Sequence, residues 1–276
     1  YVAGDDDQAI FRYAGADVDY FINLDGNVKV LDQSYRIPSA HHTLSHKVIQ
    51  RVVNRRPKEF KPRDQEGFVH WHLLPSRTTR GAKQIEEEVR RRGHLYIYNG
   101  SKSIDGKVLE SVRLWENLRS GASITAEQVR TVYGQMLLGT QVEYGHKTFS
   151  KGQSDQRYTL QDLQDFYGLL HSLPWDEGLG KISDTDKRYI KACLRKGESL
   201  TEEPRIRIST IHSAKGAQAS NVMLLTDTMR RSYSMWRKFE NEHFDEARVF
   251  YVGLTRALQN LHLIHPMYSR GYQIPA

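Results

Sequence analysis

Ile206-Arg207-Ile208-Ser209-Thr210-Ile211 runs into His212-Ser213-Ala214-Lys215-Gly216 and is followed by Asn221-Val222-Met223-Leu224-Leu225. This stretch decides the fold. Its first part alternates apolar and polar residues with the period of a strand. Val222 to Leu225 is continuously apolar, as a parallel strand buried on both faces requires. Lys215-Gly216 between them reads as a strand-to-helix turn. Further on, 244–258 reads as a helix and Leu261-His262-Leu263-Ile264 as a last strand. Strand and helix in alternation argue for an α/β protein with a parallel sheet.

The earlier half carries the same alternation. Residues 1–24 read as a strand, an acidic turn and a short helix or loop. Val28-Lys29-Val30-Leu31 reads as a short strand ahead of Ser34-Tyr35-Arg36. A helix is expected over 40–54, with Pro38 tolerated in its first turn. The charged segment 55–66, with two prolines, reads as an exposed loop. Phe68 to Leu74 reads as a strand, 83–92 as a helix with Ile85 and Val89 on one buried face and Gly93 ending it, and 94–98 as a short strand. From about 108 to 196 the pattern changes to helices at 108–118, 126–137, 160–170 and 184–195, with Thr159 or Thr185 as caps. The polar and aromatic stretch 139–157 reads as a loop.

Composition narrows the partners. The 276 residues hold a substantial core, and a formal charge of +7 with a pI near 9.3 fits an acidic partner, nucleic acid being the commonest. The one cysteine, Cys193, excludes an internal disulfide framework and fits a reducing compartment. No apolar run approaches the roughly 20 residues that cross a bilayer, so no membrane partner is expected and a cytoplasmic location is.

Four separated segments would each make sense at one nucleotide phosphate: Gly4-Asp5-Asp6-Asp7-Gln8, Ser34-Tyr35-Arg36, Thr210 to Gly216, and Tyr251-Val252-Gly253-Leu254-Thr255-Arg256-Ala257. In this order they resemble motifs III, IV, V and VI of the UvrD/Rep-like superfamily 1 DNA helicases. No Gly-x-x-x-x-Gly-Lys-Ser/Thr loop occurs in these residues. By the resemblance that Walker A loop and the acidic Walker B strand lie upstream of Tyr1, so the chain is expected to be the C-terminal portion of a larger enzyme, inactive alone. In the family a strand usually stands between the Trp71 region and the next helix, and Pro75 to Arg80 is too short for one.

The resemblance implies a RecA-like fold of the P-loop NTPase type. Residues 1–24 would close a first RecA-like domain (motif III). Residues 25–104 and 204–276 would form the second, 2A, carrying motif IV and motifs V and VI. Residues 105–203 would be a helical 2B-like insertion. It also implies the roles. Gln8, Arg36 and Arg256 are catalytic: an amide that senses the γ-phosphate and its attacking water, and two arginines that neutralise charge in phosphoryl transfer. Tyr35 stacks on the adenine, and Gly216 and Gln218 complete the ATP site, Gln218 standing where the family commonly has glutamate. Phe11 and Tyr13 contact single-stranded DNA by stacking, and Thr210, His212 and Lys215 meet its backbone. Ala14 replaces the family's arginine in motif III, and Arg12 is a candidate substitute.

The implied cofactors are ATP and Mg2+, whose carboxylate ligand belongs to the Walker B strand, and no metal ligand is assigned here. Asp5 to Asp7 read as metal ligands or as a solvated turn, and the runs 51–56 and 90–92 as part of a DNA track or as solvated faces. The implied partners are single-stranded DNA and duplex junctions, the first RecA-like domain, and proteins docking on the helical insertion. The implied activity is ATP-driven 3′-to-5′ translocation with duplex unwinding, serving repair or replication. Two other readings stand beside it: a non-catalytic DNA- or protein-binding module, and the helicase part of a nuclease–helicase recombination enzyme.

Overall fold

A computed structural model describes residues 1–64, 72–146, 156–228, 240–266 and 271–275. Most of the expected strand over 68–74 and part of the expected loop over 139–157 lie outside the described residues. The helices are α1 (Val18–Ile22), α2 (Ser39–Ile49), α3 (Thr79–Arg91), α4 (Gly106–Arg119), α5 (Ala126–Gly134), α6 (Leu160–Phe166), α7 (Trp175–Gly178), α8 (Asp184–Arg195) and α9 (Glu240–Leu254). The strands are β1 (His72–Ser76), β2 (Tyr96–Tyr98), β3 (Ser101–Lys102), β4 (Ile124–Thr125), β5 (Arg157–Tyr158), β6 (Ile206–Thr210), β7 (Ala219–Leu225) and β8 (Ala257–Ile264). The chain divides into two compact units, Tyr1–Glu88 with Tyr96–Gly100 and Arg205–Ala276, and Val89–Leu95 with Ser101–Pro204.

The first unit is built on a parallel sheet in the order β2-β6-β1-β7-β8. Leu74 of β1 pairs with Ile208 and Leu73 with Val222, so the strands read from Ile206–Thr210 and Ala219–Leu225 flank β1 on either side. The connection over 211–218 therefore passes β1. It is a succession of turns, closed by Ala214 N–H on Thr210 O, where the sequence suggested a helix start. Ile211 and Ala214 are buried in it and join Leu73, Val222, Leu224, Val48 and the α9 side chains Ala247, Phe250 and Leu254 in one core. α9 is enclosed along its second half, where Ala247, Val249, Phe250, Val252 and Leu254 are buried together with the charged Glu246 and Arg248.

Several expected elements are absent or displaced. No strand forms at 1–3 or at 28–31; Val28, Val30 and Leu31 are exposed, and an isolated Gln33–Lys61 bridge is all the pairing near them. β-Branched residues without a neighbouring strand have nothing to complete. α2 stops at Ile49, where Gln50 N–H closes on His46 O, ahead of the expected Asn54. Pro38 sits at the cap position just outside it. Gly93 ends α3 in the left-handed region, at φ 75°, as expected.

In the second unit, α4 buries Leu109, Val112, Trp115 and Leu118 at helical spacing. Thr159 closes a capping box with Asp162 at the start of α6. Thr125 does the same with Gln128 for α5. Ser183, not Thr185, caps α8, because its hydroxyl is the one that reaches Asp186 N–H. Buried Gln141 ties its own loop to α7 and the residues that follow it. Its Oε1 accepts from Leu137 N–H and Gly180 N–H at 2.9 Å each, and its Nε2 donates to Glu177 O at 2.7 Å. Among the described residues no helix is long and apolar enough to cross a membrane.

Candidate functional site

The acidic segment is a short 3-10 turn, Asp6–Gln8, capped by Asp5, whose carboxylate accepts from Asp7 N–H. It is not a solvated turn: Asp6 and Asp7 are buried. Lys58 Nζ reaches all three carboxylates, Asp5 at 2.8 Å, Asp7 at 3.3 Å, and Asp6. Arg55 grips Asp7 through Nε and Nη2 at 2.8 and 2.7 Å, a geometry only a guanidinium offers. Burial alone would raise the Asp5 carboxyl, but the charge and hydrogen bond of Lys58, with Gln8 and Asp7 N–H, take it below its ordinary value. Thus the segment read as an exposed loop contains a buried lysine, and Arg55 of the basic run serves the protein interior. Arg56 likewise donates to Ile22 O, and Arg51 to Gln273 O. Among the described residues no group of three acidic, histidine or cysteine side chains is arranged to hold a metal ion.

Gln8 stands at the junction of three motif segments. Its Nε2 donates to Asp5 Oδ2 at 2.5 Å, its Oε1 accepts from Arg256 Nη2 at 3.4 Å, and its backbone carbonyl accepts from Lys215 Nζ at 2.8 Å. Arg256 is fully buried. It is held by Nε on Val252 O at 2.8 Å, Nη1 on Ala217 O at 3.4 Å and Nη2 on Thr255 Oγ1 at 2.9 Å. Burial, then the charge of Arg36, push its pKa down to about 9, with Tyr251 and Asp5 opposing. Arg36 is also depressed by burial, and feels the same Tyr251 and Asp5. The two arginines thus occupy one electrostatic neighbourhood. Arg36 Nε is buried with no hydrogen-bond partner. Tyr35 beside it is 84 % exposed, an unobstructed ring.

A second cluster is aromatic. Phe11, Tyr13 and His212 surround one another with centroids 5.8 to 6.1 Å apart, tilted or edge-on. Lys215 Nζ lies 5.2 Å from the Phe11 centroid, close enough for a cation–π contact. Burial and then the positive charge of Arg77 lower His212 to about 4, against a hydrogen bond to the Ile10 backbone. The imidazole is therefore neutral at neutral pH. Tyr13 is 77 % exposed. Arg12, the candidate substitute for the arginine absent at Ala14, turns instead to α9, where Nη1 meets both Asp245 oxygens at 3.2 and 3.1 Å.

Not every motif residue joins these clusters. Thr210 Oγ1 accepts from Ser213 N–H and shares a hydrogen bond with its hydroxyl, which fixes the turn locally. Gly216 takes φ 89°, a left-handed conformation that suits glycine. Gln218 is exposed. Sequence reading missed Lys58, the bidentate Arg77–Glu246 pair at 2.9 and 3.0 Å, and buried Arg248, and gave Tyr251 no role of its own. Arg248 Nε donates to Asp6 O at 3.0 Å. The one signal was charge, Asp245-Glu246-Ala247-Arg248, next to the apolar run Val249 to Leu254.

A search of curated proteins returns no match. The family description "UvrD-like helicase C-terminal domain" matches residues 83–267. That span contains β6, β7, α9 and β8 with Lys215 and Arg256, and covers most of the chain, so the protein belongs to the UvrD-like helicase C-terminal domain family.

Proposed function

We propose that the chain is the nucleotide- and DNA-contacting C-terminal part of an ATP-dependent superfamily 1 DNA helicase that translocates 3′ to 5′ on single-stranded DNA. The observation that carries this reading is Arg36. A half-buried guanidinium with an orphaned Nε, sharing its surroundings with Arg256, is costly without an anion. The residues fit a nucleoside triphosphate. Arg36 and Arg256 would neutralise charge developing on the γ-phosphate, Gln8 would orient the attacking water, and Tyr35, with its free ring, would stack on the base. Gly216 and Gln218 would line the sugar side. ATP with Mg2+ supplies the phosphoryl group, and the phosphate-gripping lysine and Mg2+ carboxylate would come from another RecA-like lobe.

In this reading 25–104 and 204–276 would serve as the 2A RecA-like domain beside the motif III segment, and 105–203 as the 2B-like helical insertion that meets duplex or protein partners. Single-stranded DNA would lie on Phe11 and Tyr13, with Thr210, His212 and Lys215 along it. The test is direct. The purified chain should bind a labelled oligo-dT in fluorescence anisotropy, with affinity falling as salt rises, and should not turn over ATP. Robust ATP hydrolysis by this chain alone, or no DNA binding at low salt, would falsify the assignment.

A further inference from the structure

The turn that carries the aromatic pair has little of its own to hold it. Arg12–Ala14 is a single 3-10 turn closed by Ala14 N–H on Phe11 O and Gly15 N–H on Arg12 O, and none of its residues is buried. Besides the packing of Phe11 on the core and the ring contacts of Phe11 and Tyr13 with His212 and Lys215, its tie to the body of the unit is Arg12 on Asp245. Asp245 is itself fixed: its Oδ1 lies 3.5 Å from Nη1 of buried Arg248. Arg248 Nε donates to Asp6 O, and its Nη2 to Asn54 O. A chain of contacts thus runs from the exposed turn, through α9, to the backbone of the acidic turn that presents Gln8.

An exposed ion pair of this kind contributes little to stability. Arg12 and Asp245 are each about one-third exposed. Electrostatics also argues against placing a carboxylate beside a surface meant for a polyanion, since Asp245 repels phosphate and occupies an arginine that would otherwise attract it. We infer that Asp245 is a positioning residue of the nucleic-acid interface: by clamping Arg12 it fixes the turn so that Phe11 and Tyr13 present their rings to bases. The inference rests on the DNA reading above, and it carries a sign opposite to the electrostatic expectation.

The experiment uses the whole chain, oligo-dT with one 2-aminopurine to report stacking, and the variants Asp245→Asn, Asp245→Glu, Arg12→Ala and the Arg12→Ala/Asp245→Asn double. Although Asp245→Asn removes a negative charge, it should weaken binding about fivefold to tenfold, the equivalent of part of one base stack, and should reduce 2-aminopurine quenching. Arg12→Ala should do the same, the double variant should be no worse than either single, and Asp245→Glu should restore most of the loss. Unchanged or tighter binding by Asp245→Asn, or additive losses in the double variant, overturns the inference. Weaker binding with undiminished quenching also overturns it. If the unmodified chain does not bind DNA, the underlying reading fails first, and that result is separable because it precedes any substitution.

Discussion

The charge of Arg36 is second only to burial in depressing the Arg256 guanidinium, although the two belong to the second and fourth motif segments. Two cations held in one partly dehydrated place repel each other, and nothing among the described residues hydrogen-bonds Arg36 Nε. Such a pair is retained against its cost where an anion is to be bound. Replacing Arg36 by Gln should therefore leave thermal stability unchanged or raise it, by up to about 1 kcal/mol.

The same substitution should abolish a ligand response that the proposed function expects of the parent. On the proposed function inorganic triphosphate would bind where the charges converge, and at a hundredfold excess over its dissociation constant a ligand stabilises by about 2.7 kcal/mol. Differential scanning fluorimetry reads both effects. A variant that melts well below the parent, or keeps the full triphosphate shift, would show that Arg36 serves the fold and not an anion.

Lys58 is the opposite case. Its ammonium is the shared partner of Asp5, Asp6 and Asp7, and it is nearly buried. Lys58→Met leaves buried carboxylates short of a counter-charge, which costs about 3–5 kcal/mol when one partner of a buried pair is removed. Chemical denaturation should show that loss at pH 7. In the parent, the depressed Asp5 carboxyl contributes stability that is present above its unfolded value of 3.8 and lost as pH falls through the lower folded value. The variant should lack this contribution.

The histidine of the aromatic cluster sets a second pH dependence with a different window. His212 is held at about 4 when folded and sits near 6.5 when unfolded. Between these values the unfolded chain binds more protons, so stability falls as pH drops from 6.5 toward 4 and is flat outside that range. The groups acting on the ring are Arg77, the Ile10 backbone, Phe11 and Tyr13. His212→Gln should remove the slope, and the parent-minus-variant difference cancels His41, His42, His72 and His243, which are depressed in both proteins. DNA affinity should not gain from an imidazolium between pH 8 and 6. A rise over that interval that is absent from His212→Gln would refute the neutral ring.

The elements legible from sequence were those whose signal is local. Ile206–Thr210 and Val222–Leu225 declare a parallel sheet by their own pattern, Asp184–Arg195 is marked at both ends, and Thr159 caps by its spacing to Asp162. Val28 to Leu31 has strand composition but no partner strand, which composition cannot reveal. Arg36, Arg256 and Gln8 could be named from motifs, yet their shared surroundings depend on folding that brings distant segments together. Lys58 and Arg55 lie in a run that looks solvated because their carboxylate partners stand far away in sequence. Arg12–Asp245 was hidden for the same reason.

In the second unit Gly180 is closely hemmed in by side chains. A Cβ there would stand 2.8 Å from both amide atoms of Gln141 and 2.8 Å from Leu137 Cδ1. The leucine tip can move, but the amide cannot do so freely, because it already satisfies Leu137 N–H, Gly180 N–H and Glu177 O. Gly180→Ala must either break those bonds or shift the loop, and overpacking of this kind costs about 1–3 kcal/mol. Gln141→Leu should cost a comparable amount, since it removes the acceptor of two N–H groups and the donor to Glu177 O, each hydrogen bond worth about 0.5–1.5 kcal/mol. If the two substitutions act through the same three hydrogen bonds, the double variant will be clearly less destabilised than the sum of the singles. Urea denaturation of the four proteins measures this, and strict additivity would mean that the glycine is needed for a reason other than the glutamine.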